Sequence, residues 1–253
     1  MNAPWQAFAD ELARWREAGR LAEFWWRDDD AARPARALSR LTALSARNAV
    51  PLALAVVPLG ADPALFGALG ELVSVIQHGT DHLNRAAAGQ KKTEFPASEP
   101  LEAAIVRLAS AAKQLRGSAA GRFVPILAPP WNRIPEALAS KLAEAGLRGL
   151  TRYGVRAAAE PTPGVTQVNT HVDLIAWREG RGFAGETAVL GAAVRHLAAK
   201  REGRADAAEA TGWLSHHAVH DEAAWSFLER LFEMTGAAPG QRWRSARELF
   251  RLS

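Results

Sequence analysis

Three carboxylates in a row, Asp28-Asp29-Asp30, follow an apolar run and stand beside Arg27. Adjacent carboxylates repel each other unless a cation or an arginine neutralises them. Two readings are open for the triplet. It is a solvated acidic loop that caps the next helix, or it supplies a metal ligand beside a general base, with Arg27 holding one carboxylate ionised. The segment His78-Gly79-Thr80-Asp81-His82 carries two histidines four residues apart. On a helical turn that spacing puts both imidazoles on one face, within reach of one ion. Glu is absent from the second position, so this is not the H-E-x-x-H pattern of metalloproteases.

Three further segments have chemical potential. Ala128-Pro129-Pro130-Trp131-Asn132-Arg133 joins rigid prolines to a large aromatic. It reads either as a stiff turn with Trp131 packed inward, or as a sugar-stacking wall with a free backbone N–H. His171, Asp173 and Trp177 form another group, in which a carboxylate near a histidine can orient it and raise its pKa. Trp213 to Asp221 contains His216, His217 and His220. Six of the seven histidines fall in these clusters, and His196 is the exception. Core histidines usually stand alone, so the clustering favours catalysis or metal binding.

These side chains need a scaffold that brings distant segments together. Strands are expected at Ala22–Trp26, Leu52–Val57, Leu72–Gln77, Phe123–Leu127, Leu147–Thr151, Val165–Asn169 and Thr211–His217, with Arg27–Asp30 in the loop after the first. Helices are expected at Pro34–Asn48, Leu101–Leu115, Pro135–Ala145, Glu186–Lys200, Glu222–Met234 and Arg244–Phe250. Residues 1–20 form an amphipathic N-terminal helix, with Trp5, Phe8, Leu12 and Trp15 at helical spacing. The alternation predicts an α/β fold with about seven mainly parallel strands, either an incomplete or distorted (β/α) barrel or an open doubly wound sheet. The reactive clusters sit at the C-terminal ends of strands, the face where such folds place active sites. Gln77–Pro100 is long and polar, and Asn84, Lys91, Lys92 and Glu94 are expected to line a substrate mouth.

The chain has 253 residues, 48% hydrophobic and 23% charged, with no linker-like stretch or internal repeat, which suits one domain over 1–253. Thirty-one basic against 27 acidic side chains make it mildly basic, without the dense Lys/Arg run of a nucleic-acid binder. It has no cysteine, which excludes disulfides and thiolate metal sites. No apolar run reaches transmembrane length, and no signal-peptide core is present, so a cytoplasmic protein is expected. Oligomeric state is not legible.

In this order the clusters resemble the five motifs of the polysaccharide deacetylases, metal-dependent carbohydrate esterases built on a distorted (β/α) barrel. Asp29-Asp30 is similar to the first motif, His78 and His82 to the second, Pro130-Trp131 to the third, Asp173 and Trp177 to the fourth, and His216 or His217 to the fifth. The resemblance spans almost the whole chain. It implies removal of N- or O-acetyl groups from a sugar or glycan precursor. Asp29 would then be the general base, and Asp30, His78 and His82 would hold one divalent ion, most simply Zn²⁺. His216 or His217 would be the general acid, oriented by Asp173, with His216 favoured if it points inward. Arg27, Asn84, Pro130, Trp131, Asn132, His171 and Trp177 are expected to contact the acetylated sugar.

The chain departs from that pattern at Ala128, where the family carries an arginine that pairs with the base; Arg27, Arg133 or Arg152 could take its place. The triplet also leaves the aspartate register open by one. Two other functions compete. One is a sugar-binding protein without turnover. The other is a glycosyltransferase using Asp28 and Asp30 as a D-x-D pair.

Overall fold

A computed structural model of the chain describes residues 2–119, 121–178, 180–236 and 239–252. Its strands are β1 (Ala22–Ala31), β2 (Leu52–Val56), β3 (Val73–His78), β4 (Phe123–Ala128), β5 (Gly149–Leu150), β6 (Thr166–Gln167), β7 (Val172–Asp173), β8 (Thr211–Ser215) and β9 (Gln241–Trp243). The helices are α1 (Ala3–Glu17), α2 (Arg36–Asn48), α3 (Ala64–Gly67), α4 (Leu101–Ser118), α5 (Glu136–Ala139), α6 (Glu186–Arg201), α7 (Glu222–Thr235) and α8 (Ala246–Phe250).

The sheet runs β6-β5-β4-β3-β2-β1-β8-β7, with β9 beside the start of β1. Among the described residues every pair of strands is parallel. The two edges, β6 and β7, are consecutive in the chain. Thr170 still bridges Tyr153, while the next N–H, of His171, already bonds the Gly212 carbonyl of β8. The sheet therefore curls into a barrel that stays open between β6 and β7.

Side-chain alternation divides the strands into two layers. Phe24, Trp26, Leu52, Leu54, Val56, Val75 and Trp213 join the helices in the large core. Trp25, Ala53, Ala55, Ile76, Ile126 and Ala128 fill the barrel, closed off by Ala246 and Phe250 of α8. Small residues dominate the inner layer because the curl leaves little room. A Cβ on Gly212 would stand 2.4 Å from Trp25 Nε1 and 2.5 Å from the Asn169 carbonyl oxygen. On the outside, α1 buries Trp5, Phe8, Leu12 and Trp15, each worth about 1.5–3 kcal/mol in removed apolar surface.

Several sequence expectations shift. β1 continues through Asp28-Asp29-Asp30 to Ala31, so the triplet lies in the strand and its side chains alternate. The expected Pro135–Ala145 helix is α5 followed by a short 3₁₀ turn at Leu142–Ala145. The last helix starts at Ala246, because Gln241–Trp243 is a strand paired to β1. No described helix is long and apolar enough to cross a membrane.

Candidate active site

β1 carries its functional groups on two faces. Trp25 and Arg27 register with Gly212 and Leu214 of β8, so Arg27, Asp29 and His216 share the inner face. Arg27 is fully buried. Its Nη2 donates to Asp29 Oδ2 at 3.0 Å, and its Nε lies 2.9 Å from Asp29 Oδ1 in an ion-pair contact bent too far for a hydrogen bond. The guanidinium also donates to Thr151 Oγ1 at 2.9 Å and Asn132 Oδ1 at 2.7 Å. Asp29 is the inward carboxylate, and its Oδ2 lies 3.9 Å from His216 Nε2. Of the three arginines considered for the place left by Ala128, Arg27 is the one that pairs with Asp29. Arg133 donates to the Lys92 carbonyl and Arg152 pairs with Glu136.

Asp28 faces the opposite way. Its carboxylate accepts from Ser215 Oγ at 2.6 Å, from the His217 N–H at 3.0 Å and from the His217 ring Nδ1. Burial opposes its ionisation, but the His217 charge and hydrogen bond outweigh it and hold the pKa below the usual value. Asp28 thus fastens the residues on either side of His216 to β1. Asp28 is fully buried with its carboxylate taken up by Ser215 and His217, which counts against its serving with Asp30 as a D-x-D diphosphate site.

By alternation Asp30 would follow Asp28 outward. A bulge between Asp28 and Ala31, with Asp30 at φ 69°, turns it back over the barrel mouth. There Asp30 Oδ1 lies 3.0 Å from His78 Nε2 and 3.2 Å from His82 Nε2. The two histidines do not share a helical turn. His78 ends β3, and His82 sits in an irregular turn at φ 58°. Trp131 (φ 55°) and Asn132 (φ 57°) are also left-handed. Four strained backbones therefore meet at this mouth, as is common where function over-determines geometry.

The three ligand atoms suit a cation. His78 Nδ1 lies 2.9 Å from the Ala128 carbonyl oxygen, so it must carry the ring proton of the neutral imidazole. Its Nε2 lone pair then faces a carboxylate oxygen, an arrangement that requires a proton or a metal ion between them. A ring N–H held by a carbonyl is the usual outer support of a metal-ligating histidine. Burial opposes charging His78, but Asp29 and Asp30 raise its pKa. For Asp30, burial is outweighed by the hydrogen bonds from His78 and His82, and its pKa falls.

Two tryptophan rings stand beside these histidines. The Trp131 ring lies 4.5 Å from His82, and the Trp177 ring stands edge-on to His216 at 4.6 Å. Trp177 is 42% exposed. Pro130 is buried behind the turn. The N–H groups of Asn132 and Arg133 bond the Pro129 and Pro130 carbonyls, so the turn does not use the Trp131 N–H. Asp173 was expected to orient the histidine directly. Its carboxylate instead accepts from Trp177 Nε1 at 2.9 Å and the Ile175 N–H at 3.0 Å. Burial raises the Asp173 pKa. His216 Nδ1 has no hydrogen-bond partner among the described residues.

His171 and Asn84 are not brought to the reactive groups. His171 Nδ1 accepts the Gly212 N–H at 3.0 Å, and its Nε2 faces Glu209 at 3.4 Å. Its ring stacks on His196, 3.5 Å apart and 14° from parallel. This second His-His-Glu group is a poor metal site, because rings so stacked cannot both keep one ion in plane. Asn84 is exposed and accepts from the Ala86 and Thr93 N–H groups, shaping its own loop. Lys91 and Lys92 are exposed, but Glu94 is fully buried, so it does not line a mouth. Buried Glu94 and Asp28 carry structural bonds that no sequence pattern announced.

A curled, open, parallel barrel of this kind is also the fold of solved family 4 carbohydrate esterases and peptidoglycan deacetylases. Solved structures with this fold include the Streptomyces lividans family 4 carbohydrate esterase in complex with acetate, at 16% identity over 87% of this chain and 90% of that one, TM-score 0.55. The peptidoglycan deacetylase PdaC from Bacillus subtilis aligns at 12% identity over 91% of both chains, TM-score 0.56. A Mycobacterium smegmatis protein described provisionally as a polysaccharide deacetylase aligns at 14% identity over 92% and 90%, TM-score 0.63. At such identities the likeness is one of fold. No protein-family model and no curated protein matches the chain.

Proposed function

We propose that the chain is a metal-dependent hydrolase that removes N- or O-acetyl groups from a sugar or glycan precursor. The observation that carries this reading is the pairing of two sets at one mouth. Asp30, His78 and His82 converge their ligand atoms, while Asp29 and His216 face each other 3.9 Å apart beside them. The fold shared with the deacetylases supports the same substrate class.

Two imidazoles and a carboxylate suit Zn²⁺ and leave coordination positions open. Such an ion would lower the pKa of water and polarise the acetyl carbonyl. Asp29, paired with Arg27, takes a proton from the attacking water as the C–O bond forms. The Trp131 N–H donates to the carbonyl oxygen as that oxygen gains charge. His216 gives a proton to the departing amine or alcohol as the acyl bond breaks, releasing acetate. Trp131 and Trp177 flank the sugar. Asp173 acts on His216 through Trp177 and through its charge. The Arg27–Asp29 pair supports turnover over sugar binding alone, since the arginine displaced from position 128 is supplied from β1.

The test is elemental mass spectrometry of the purified chain beside Asp30→Ala and His78→Ala, followed by acetate release from acetylated sugars. Near-stoichiometric metal in the parent, lost in both folded variants, with metal-dependent acetate release, is the expected outcome. A chain that takes up no Zn²⁺, Co²⁺, Ni²⁺ or Mn²⁺ would overturn the reading.

A further inference from the structure

Of the three candidate ligands, Asp30 and His78 stand on strands, and only His82 hangs on an irregular turn. What replaces the strand beneath His82 is Glu94. Its Oε1 accepts the Thr80 N–H at 2.8 Å and also the Thr80 hydroxyl, and its Oε2 accepts the His82 N–H at 3.1 Å. Arg107 of α4 donates to Thr80 Oγ1 at 2.7 Å and lies 3.3 Å from Glu94 Oε1, neutralising the buried charge. Glu99 in turn holds Arg107 at 3.0 and 2.9 Å. The turn is closed down so far onto the carboxylate that a Cβ on Gly79 (φ +59°) would stand 2.1 Å from Glu94 Oε2 and 2.7 Å from Pro130.

We propose that Glu94 is a positioning residue of the metal site: by gripping the N–H groups of residues 80 and 82 it sets where the His82 imidazole stands relative to Asp30. The inference rests on the reading of Asp30, His78 and His82 as metal ligands. A left-handed residue such as His82 reverts to commoner backbone geometry unless its surroundings over-determine it. A buried carboxylate that takes two backbone N–H groups does so, because letting go would leave donors and acceptor unpaired. Full burial also separates this role from substrate contact, since Glu94 offers no surface to a sugar.

The experiment is zinc affinity of purified Glu94→Gln, measured by competition with a chromophoric chelator, beside Glu99→Gln as control. The amide keeps the shape but offers one acceptor oxygen where there were two. Binding at least tenfold weaker is expected in Glu94→Gln, and within threefold of the parent in Glu99→Gln. A purely structural Glu94 would lower the melting temperature and leave zinc affinity in the folded protein unchanged, which would overturn the proposal. If the parent itself binds no zinc, the metal reading fails first, and that failure is seen without any variant. Should Glu94→Gln not fold, amide hydrogen exchange of the metal-free parent decides. Slow exchange at Thr80 and His82 is expected, and exchange at the rate of an open turn would overturn it.

Discussion

Arg27 and Asp29 stand two residues apart on one strand, both directed into the barrel, and pair with each other there, Nη2 to Oδ2 at 3.0 Å. A flat strand would separate their side chains along its length. The long Arg27 side chain closes the gap, and its guanidinium also donates to Thr151 Oγ1 and Asn132 Oδ1 inside the barrel. Arg27→Met is expected to leave Asp29 buried without its cation. Breaking a buried pair this way costs about 3–5 kcal/mol, to be read as a lowered urea midpoint. Acetate release should fall by about 10²-fold or more, on the scale of losing one aligned acid–base group. Parent-like stability and turnover would show that Asp29 does not need this arginine.

The adjacent histidines predict opposite phenotypes. His216→Asn is expected to reduce acetate release by about 10²–10⁴-fold, the range for a general acid, with stability changed little. His217→Asn weakens the support of Asp28 and is expected to cost about 1–3 kcal/mol, with a smaller loss of turnover. Parallel kinetics and urea unfolding on both variants test the split, and equal phenotypes would contradict it.

Asp28 and Asp30 should separate in the same manner. Asp30→Asn is expected to lose bound metal while folding normally. Asp28→Asn keeps the ligand set and destabilises the β1–β8 junction. Metal content and melting temperature, measured together, check this. Loss of metal from the Asp28 variant at unchanged stability would shift the aspartate register by two.

Metal removal should register as stability as well as activity. An ion bound only by the folded state adds about 2.7 kcal/mol at a free concentration of 100 Kd. Chelation is therefore expected to lower the melting temperature of the parent and not of His78→Ala. A chelator that leaves the parent's melting curve unmoved would contradict this.

His196 gives a prediction about pH. Burial holds its pKa far below the ordinary 6.5, to about 2, with His171 and Lys200 adding to the effect. The folded state then binds fewer protons than the unfolded state, so stability is full above about pH 6.5 and falls as acid charges the unfolded chain. Between pH 6.5 and 4.5 the parent is expected to lose stability more steeply than His196→Asn, by up to about 1.4 kcal/mol per pH unit. Matching slopes in pH-dependent urea titrations would show that His196 is not buried neutral.

Much of the molecule is legible in its residues. Apolar runs that end in Asp, His or Pro mark the inner strands, and the order of the clusters marks the barrel and the rim at which they gather, because side-chain period and strand-end chemistry are local properties. Alternation even separates His216 from His217 once β8 is placed. Other relationships depend on curvature and on long contacts. The bulge at Asp30 reverses the direction alternation would assign, so no count along the sequence finds it. The guanidinium that pairs with Asp29 is also fixed by Thr151 and Asn132, which are 124 and 105 residues away in sequence. Buried Glu94 is indistinguishable in sequence from the exposed Lys91 and Lys92 beside it, since its partners Thr80 and Arg107 are 14 and 13 residues away. Residue types announce which chemistry is available; the curl of the sheet decides which charges meet, because charge pairing depends on distance through space.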